Sequence, residues 1–331
     1  MLVFHTCAGG QGRTVDNPDT TVLTDDIVWI DMLAATHEEI AFVERETGLH
    51  LPTKEDLSEI ESSSRLYTES GALFLSTPIV FRATSGFPQA TPVGFVLTSK
   101  RLISIRFEEL TAFQTFSATC ARPDAVHSSS AGALAGLLDA NIDRMADVLE
   151  QVGADLDGVS RRIFRSDAVK PGHRIKFSAE DADLRAILRR IGRAGDLASL
   201  IRDSLLGVGR IVPYVLHLAG TWLPAEVKPR LETLRTDVAS LNDYEGHLTA
   251  KVAMLLDATL GLINIEQNNI FKVLTIVSVV GIPPTLVASL YGMNFVHMPE
   301  LAWTYGYPYG LGLIALSGIA PLVWFKLRGW I

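Results

Sequence analysis

The apolar positions of this chain change their spacing along its length, and each change predicts a different kind of structure. Up to about residue 125, short apolar runs alternate with turn signals. Ile27-Val28-Trp29-Ile30, Ala72-Leu73-Phe74-Leu75, Gly94-Phe95-Val96-Leu97 and Arg101-Leu102-Ile103-Ser104-Ile105 read as strands, the last two joined by the hairpin-like Thr98-Ser99-Lys100. Thr36 precedes Glu38 and Glu39, and Thr53 precedes Glu55 and Asp56, so each is an N-cap candidate with acidic residues in the first turn. Strands with inserted helices predict an α+β fold, a sheet covered by helices.

From about residue 130 the period becomes helical: Leu134, Leu137, Leu138, Ile142, Met145 and Leu149 recur at steps of three and four. Lys170-Pro171-Gly172 ends that arm, and Leu184, Ile187, Leu188, Ile191 and Leu197 begin another. The basic run Arg185, Arg189, Arg190 and Arg193 reads as its solvated face. After Pro224 and Pro229 no proline follows until Pro283. Val227, Leu231, Leu234, Val238, Leu241, Leu248, Val252, Leu255 and Leu262 take heptad steps, with Glu245 and Thr259 as interruptions. A helix over about 225–292 is roughly 100 Å long. A rod of that length needs partner helices and has to leave the globular body.

Its far end enters an apolar stretch. Val273 to Leu290 carries no charge and spans about 18 residues, the lower range for crossing a bilayer; Pro308 to Phe325 is a second such stretch. Trp303, Tyr305, Tyr307, Tyr309, Trp324 and Trp330 gather near the ends, as interfacial aromatics do. Lys272 precedes the first stretch, Lys326 and Arg328 follow the second, and the loop between has neither Lys nor Arg. The positive-inside rule then places both termini in the cytoplasm of a two-span protein of the cell membrane. The expected organisation is a cytosolic α/β domain (1–128), cytosolic helical arms (129–222) and a long stalk helix (223–292) whose end, about 273–292, is the first span. An outer loop (293–307), a second span (308–326) and a cytoplasmic tail (327–331) complete it.

Composition adds exclusions. With 37 acidic and 29 basic residues the chain carries a formal charge of −8, which disfavours nucleic acid as a partner. The 48% apolar content is concentrated after about residue 270. The two cysteines, Cys7 and Cys120, have no metal-ligand spacing and read as reduced thiols. No cleavable signal segment is visible at the N-terminus. Gly9-Gly10-Gln11-Gly12 lacks the strand-to-helix setting of a phosphate loop, and no nucleophile, base and orienting group assemble into an enzyme signature.

The first span also carries a pattern. Asn264, Asn268, Phe271, Thr275, Ser278, Ile282, Thr285, Ser289 and Gly292 recur at helical steps as a stripe rich in small and hydroxyl-bearing side chains, beside an almost wholly apolar one. Helix packing alone also explains such a stripe; symmetry copies would instead turn it into stacked rings. Neutral oxygens suit hydrated Mg²⁺, because they accept hydrogen bonds from its water shell without trapping the ion. Leu274 and Ile282 are either apolar constrictions that gate by dewetting, or lipid-facing or packing residues. His297 in the outer loop reads as exposed or as a cation contact.

Tyr291-Gly292-Met293-Asn294-Phe295, preceded by Pro283-Pro284-Thr285-Leu286-Val287-Ala288-Ser289 and followed by Met298-Pro299-Glu300-Leu301, resembles the signature of the CorA family of magnesium and cobalt transporters. Asn264-Ile265-Glu266-Gln267-Asn268, Trp29-Ile30-Asp31 and Ile60-Glu61-Ser62-Ser63-Ser64-Arg65 extend the likeness over nearly the whole chain. The resemblance implies a homopentameric, funnel-shaped channel in the bilayer that passes Mg²⁺, and with it Co²⁺ and Ni²⁺. It assigns Asn294, with Gly292 and Met293, to an outer ring that binds the hydrated ion. Asn268 corresponds to an inner ring and Thr285 to the mid-pore threonine, while Tyr291, Phe295 and Glu300 lie at the outer loop. A zinc-type transporter of the same fold and a non-transporting coiled-coil scaffold are the alternatives. No cofactor is implied beyond transported and regulatory Mg²⁺. The family's regulatory aspartate on the stalk has no counterpart, since Thr233 falls there; Glu232, Asp237 and Asp243 are the nearest candidates, and each reads equally as part of a solvated helix face.

Overall fold

The computed structural model describes residues 1–6, 12–15, 21–59, 61–83, 87–121, 128–165, 177–293 and 297–330, apart from the side chains of residues 62, 165, 177–182 and 301. They form two compact units, Met1–Leu256 and Asp257–Ile331. The first is built on a seven-stranded sheet: β1 (Leu2–His5), β2 (Arg13–Thr14), β3 (Trp29–Leu33), β4 (Leu66–Glu69), β5 (Ala72–Phe81), β6 (Gln89–Leu97) and β7 (Leu102–Arg106). Their order is β2-β1-β3-β7-β6-β5-β4, with only β3 and β7 parallel. Helices α1 (His37–Thr47), α2 (Lys54–Leu57), α3 (Ser62–Arg65) and α4 (Thr111–Cys120) fill the connections. Both expected N-caps close reciprocal capping boxes. Glu39 N–H donates to Thr36 Oγ1 and Thr36 N–H to Glu39 Oε2; Asp56 and Thr53 repeat the exchange.

Strand alternation sends Leu2, Phe4, Ile30, Met32, Ile103 and Ile105 to one apolar cluster that also holds Phe42 and Val43 of α1. The intervening residues meet α4: Trp29 lies against Phe113 and Phe116, and Phe95 stacks on Phe113. This second layer is partly polar. Asp31 and Arg106 form a buried ion pair at 2.7 Å, with Arg106 Nε also donating to Asp31 and Ser104 Oγ donating to Asp31 Oδ1. Trp29 Nε1 donates to Ser104 Oγ.

Cys120, at the buried end of α4, is disulfide-bonded, which corrects the expectation of reduced thiols. The chain's other cysteine, Cys7, lies outside the described residues. Distance along the sequence was a poor guide, because β1 and α4 line one cavity through Val3, His5, Ser117 and Ala118.

Two long helices follow, α5 (Ser130–Arg165) and α6 (Phe177–Leu218). The second begins seven residues before the apolar repeat from Leu184 suggests. The expected break at Lys170-Pro171-Gly172 falls outside the described residues. Gly207 brings α6 onto β5, for a Cβ there would lie 2.0 Å from Thr77 Oγ1.

Helix α7 (Val227–Tyr291) runs unbroken for 65 residues. Its heptad residues Val227, Leu231, Leu234, Val238, Leu248 and Leu255 are buried. In the first unit the partner helices come from the same chain: Val238 meets Gly209 of α6, and Leu248 and Tyr244 meet Gly153 of α5. Spacing reveals that a seam exists and leaves its occupant open. The interruption Glu245 is also buried. It accepts from Thr249 Oγ1 at 2.6 Å and lies 3.8 Å from Arg202 of α6.

In the second unit, a 3₁₀ turn at Pro299–Ala302 precedes α8 (Gly306–Leu327). Almost no residue in the apolar stretches of α7 and α8 is fully buried, whereas a soluble core helix would be largely covered. Together with their length, this makes both helices candidate spans.

Candidate functional site

The polar stripe is a geometric feature of α7. At about 100° per residue, Asn264, Asn268, Phe271, Thr275, Ser278, Ile282, Thr285, Ser289 and Gly292 fall within an arc of roughly 120°. Leu274 and Leu286 stand near its two edges, and Gln267, which the sequence reading passed over, also falls on it. All of the stripe is exposed except half-buried Ser278. The opposite side of α7 faces α8: Gly318 of α8 lies against Pro284 and the carbonyl of Val280. Ile276, Val280, Pro284 and Val287 on that side are half-buried. The second span therefore leaves the stripe uncovered.

Local chemistry prepares the hydroxyl groups to accept. Thr275 Oγ1 donates to the Phe271 carbonyl at 2.7 Å, and Thr285 Oγ1 donates to the Ile282 carbonyl at 2.8 Å. With each proton committed to the helix, the oxygen lone pairs are what remain for a ligand. Pro283 and Pro284 supply no N–H, so the carbonyls of Val279 and Val280 lose their i+4 donors, yet the helix continues through both prolines. Gly292 and Met293 follow the end of α7, where Gly292 N–H donates to the Ala288 carbonyl at 3.0 Å. Asn294 and Phe295 lie outside the described residues. Tyr291 is the last residue of α7, and Glu300 sits half-buried in the 3₁₀ turn.

The residues matched to one known family span most of this architecture. The family described as CorA-like Mg²⁺ transporter protein matches residues 24–327. The chain belongs to the CorA family. It is 32% identical over 306 residues to the magnesium transport protein CorA of Salmonella typhimurium, covering 92% of each chain. To the CorA of Escherichia coli K12 it is 32% identical over 304 residues, again covering 92% of both. The complete structure of the CorA magnesium transporter from Methanocaldococcus jannaschii has the same fold, with a TM-score of 0.74 at 17% identity, covering 100% of this chain and 99% of that one. The matched residues include most of the sheet unit and both α7, which bears the stripe, and α8.

The stalk candidates are less assembled. Glu232, Asp237 and Asp243 are all exposed on α7. Asp237 faces α5, where burial and then neighbouring charge, Asp237 included, hold the Asp143 carboxyl above its ordinary range; Asp139 is shifted upward by burial, with Asp237 adding to it and Arg230 opposing. Among the described residues no group of three or more His, Cys, Asp and Glu is placed to hold a metal. The i, i+4, i+8 spacing of Asp139, Asp143 and Asp147 was visible in the sequence; the proximity of Asp139 and Asp143 to Asp237 was not.

Proposed function

We propose that copies of α7 surround a water-filled path whose walls are the Asn264–Gly292 stripe, and that hydrated Mg²⁺ moves through it down the membrane potential. The uncovered polar face on a spanning helix carries this reading. In lipid, such a face calls for water or another helix, and α8 occupies the other side. Family membership favours Mg²⁺ as cargo, with Co²⁺ and Ni²⁺ as accompanying ions, and a homopentamer as the assembly. Asn294 forms the outer ring with Gly292 and Met293, Asn268 the inner ring, and Thr285 the middle. Phe271, Leu274 and Ile282 line the narrower apolar levels, where dewetting closes the path. Glu300 draws cations toward the outer mouth. The large unit and both termini face the cytoplasm by the positive-inside rule. A divalent ion entering down an inside-negative potential of ~100 mV gains about 4.6 kcal/mol, so no other energy source is required.

Purified protein in liposomes, offered Mg²⁺, Co²⁺, Ni²⁺ and Zn²⁺ in turn under an inside-negative potential, tests the reading. Mg²⁺ uptake that disappears in Asn294→Ala is the expected result. Zn²⁺ uptake without Mg²⁺ uptake favours a zinc-type transporter, and no uptake of any ion favours the scaffold. The acidic face joining Asp237 to Asp139 and Asp143 supports a second role, intracellular Mg²⁺ acting as a brake. Uptake then falls at millimolar internal Mg²⁺, and less so in Asp237→Asn; undiminished uptake removes the brake.

A further inference from the structure

The end of α8 is built to place one aromatic ring. Trp330 N–H donates to the Phe325 carbonyl at 3.0 Å and Gly329 N–H to the Lys326 carbonyl at 3.1 Å. Gly329 has φ +70°, a left-handed conformation that glycine adopts without penalty. These features make a Schellman motif, completed by the stack of Trp330 on buried Phe325 at 5.3 Å between ring centroids. The turn leaves the indole facing α7, where Lys272 Nζ lies 5.8 Å from its centroid. Arg328, by contrast, lies over Trp324.

Lys272 stands on α7 between the polar stripe and the α8-facing side, one turn beyond Asn268 and next to Phe271. Its flexible four-carbon stem reaches toward either side. We infer that Trp330 is a positioning residue, holding the Lys272 ammonium on the α8 side and off the cation path. Released, that ammonium would add its charge at the inner end of the stripe in every subunit and repel the passing divalent ion. The inference rests on the reading that the stripe lines the path.

Liposome uptake of Mg²⁺ by the full-length chain tests it through a double-mutant cycle. Trp330→Leu keeps an apolar side chain on Phe325 and removes the ring face; uptake is expected to fall roughly fivefold. Lys272→Met alone leaves uptake unchanged, and Trp330→Leu with Lys272→Met restores it. Normal uptake in Trp330→Leu overturns the inference. So does a double variant no better than Trp330→Leu, which is the result of a purely packing role. A rise in uptake on Lys272→Met alone also overturns it, because the charge would already be on the path. Should Trp330→Leu fail to assemble, Trp330→Phe keeps a weaker ring face, and a smaller loss relieved by Lys272→Met is expected. If the parent chain carries no Mg²⁺, the proposed function fails; if it carries Mg²⁺ and the tryptophan variants do too, this inference alone fails.

Discussion

The Thr285 hydroxyl donates to the Ile282 carbonyl at 2.8 Å, two prolines into the one segment of α7 whose carbonyls lose backbone donors. Thr285 is exposed on the side of the helix that α8 leaves uncovered. Thr285→Val keeps the shape and removes the acceptor, so Mg²⁺ uptake in liposomes is expected to fall about tenfold, the effect of losing a hydrogen bond to a charged ligand. Thr285→Ser keeps the acceptor and most of the uptake. Equal uptake by the valine and serine variants would remove Thr285 from the path.

Asp31 and Arg106 are 5% and 7% exposed, deep enough that neither charge is hydrated once its partner is gone. Arg106→Ala is therefore expected to destabilise the sheet unit by about 3–5 kcal/mol. Arg202→Ala removes the arginine near Glu245, but that arginine is 56% exposed and its charge is screened by water, so the loss is smaller. Thermal unfolding of the solubilised protein, followed by circular dichroism, ranks the two; the reverse order would contradict the burial argument.

His5 lies flat on Trp29, with ring centroids 4.1 Å apart. Burial first lowers its pKa from 6.5 to about 4, with Asp31 opposing and Arg106 reinforcing the shift. The unfolded chain therefore binds a proton between those values that the folded chain does not. The stabilisation is complete above pH 6.5 and is lost as pH falls toward 4, by roughly 3 kcal/mol in all. His5→Phe should flatten that part of the stability profile. An unchanged slope in the variant would assign the acid sensitivity to other groups.

Much of the fold was readable where one local rule governs. Thr36 and Thr53 cap helices because a hydroxyl and a following carboxylate meet three residues apart, an arrangement that needs no distant partner. The stripe on α7 was readable for the same reason, since a helix aligns residues by spacing alone. Strands β1 and β4 were not, being four residues each and held by neighbours far along the chain. Strands β5 and β6 extend beyond their apolar cores, to 10 and 9 residues, because they pair with each other from Leu73 to Phe81 and from Gln89 to Leu97. The acidic face of α5 and α7, the Asp31–Arg106 pair and the Lys272–Trp330 contact all depend on residues brought together by packing. Periodicity carries no record of such meetings.

Whether water reaches the stripe is decided by thiol labelling. Single cysteines introduced at Thr285 and Ser289, and as controls at Val280 and Val287, would be exposed to a charged, membrane-impermeant thiol reagent in liposomes, with the parent chain's labelling subtracted. The account predicts rapid modification at 285 and 289, slowed by Mg²⁺, and protection at 280 and 287. Protection at 285 and 289 alongside labelling at 280 and 287 would contradict it, for the hydroxyl face would then be turned away from the aqueous path.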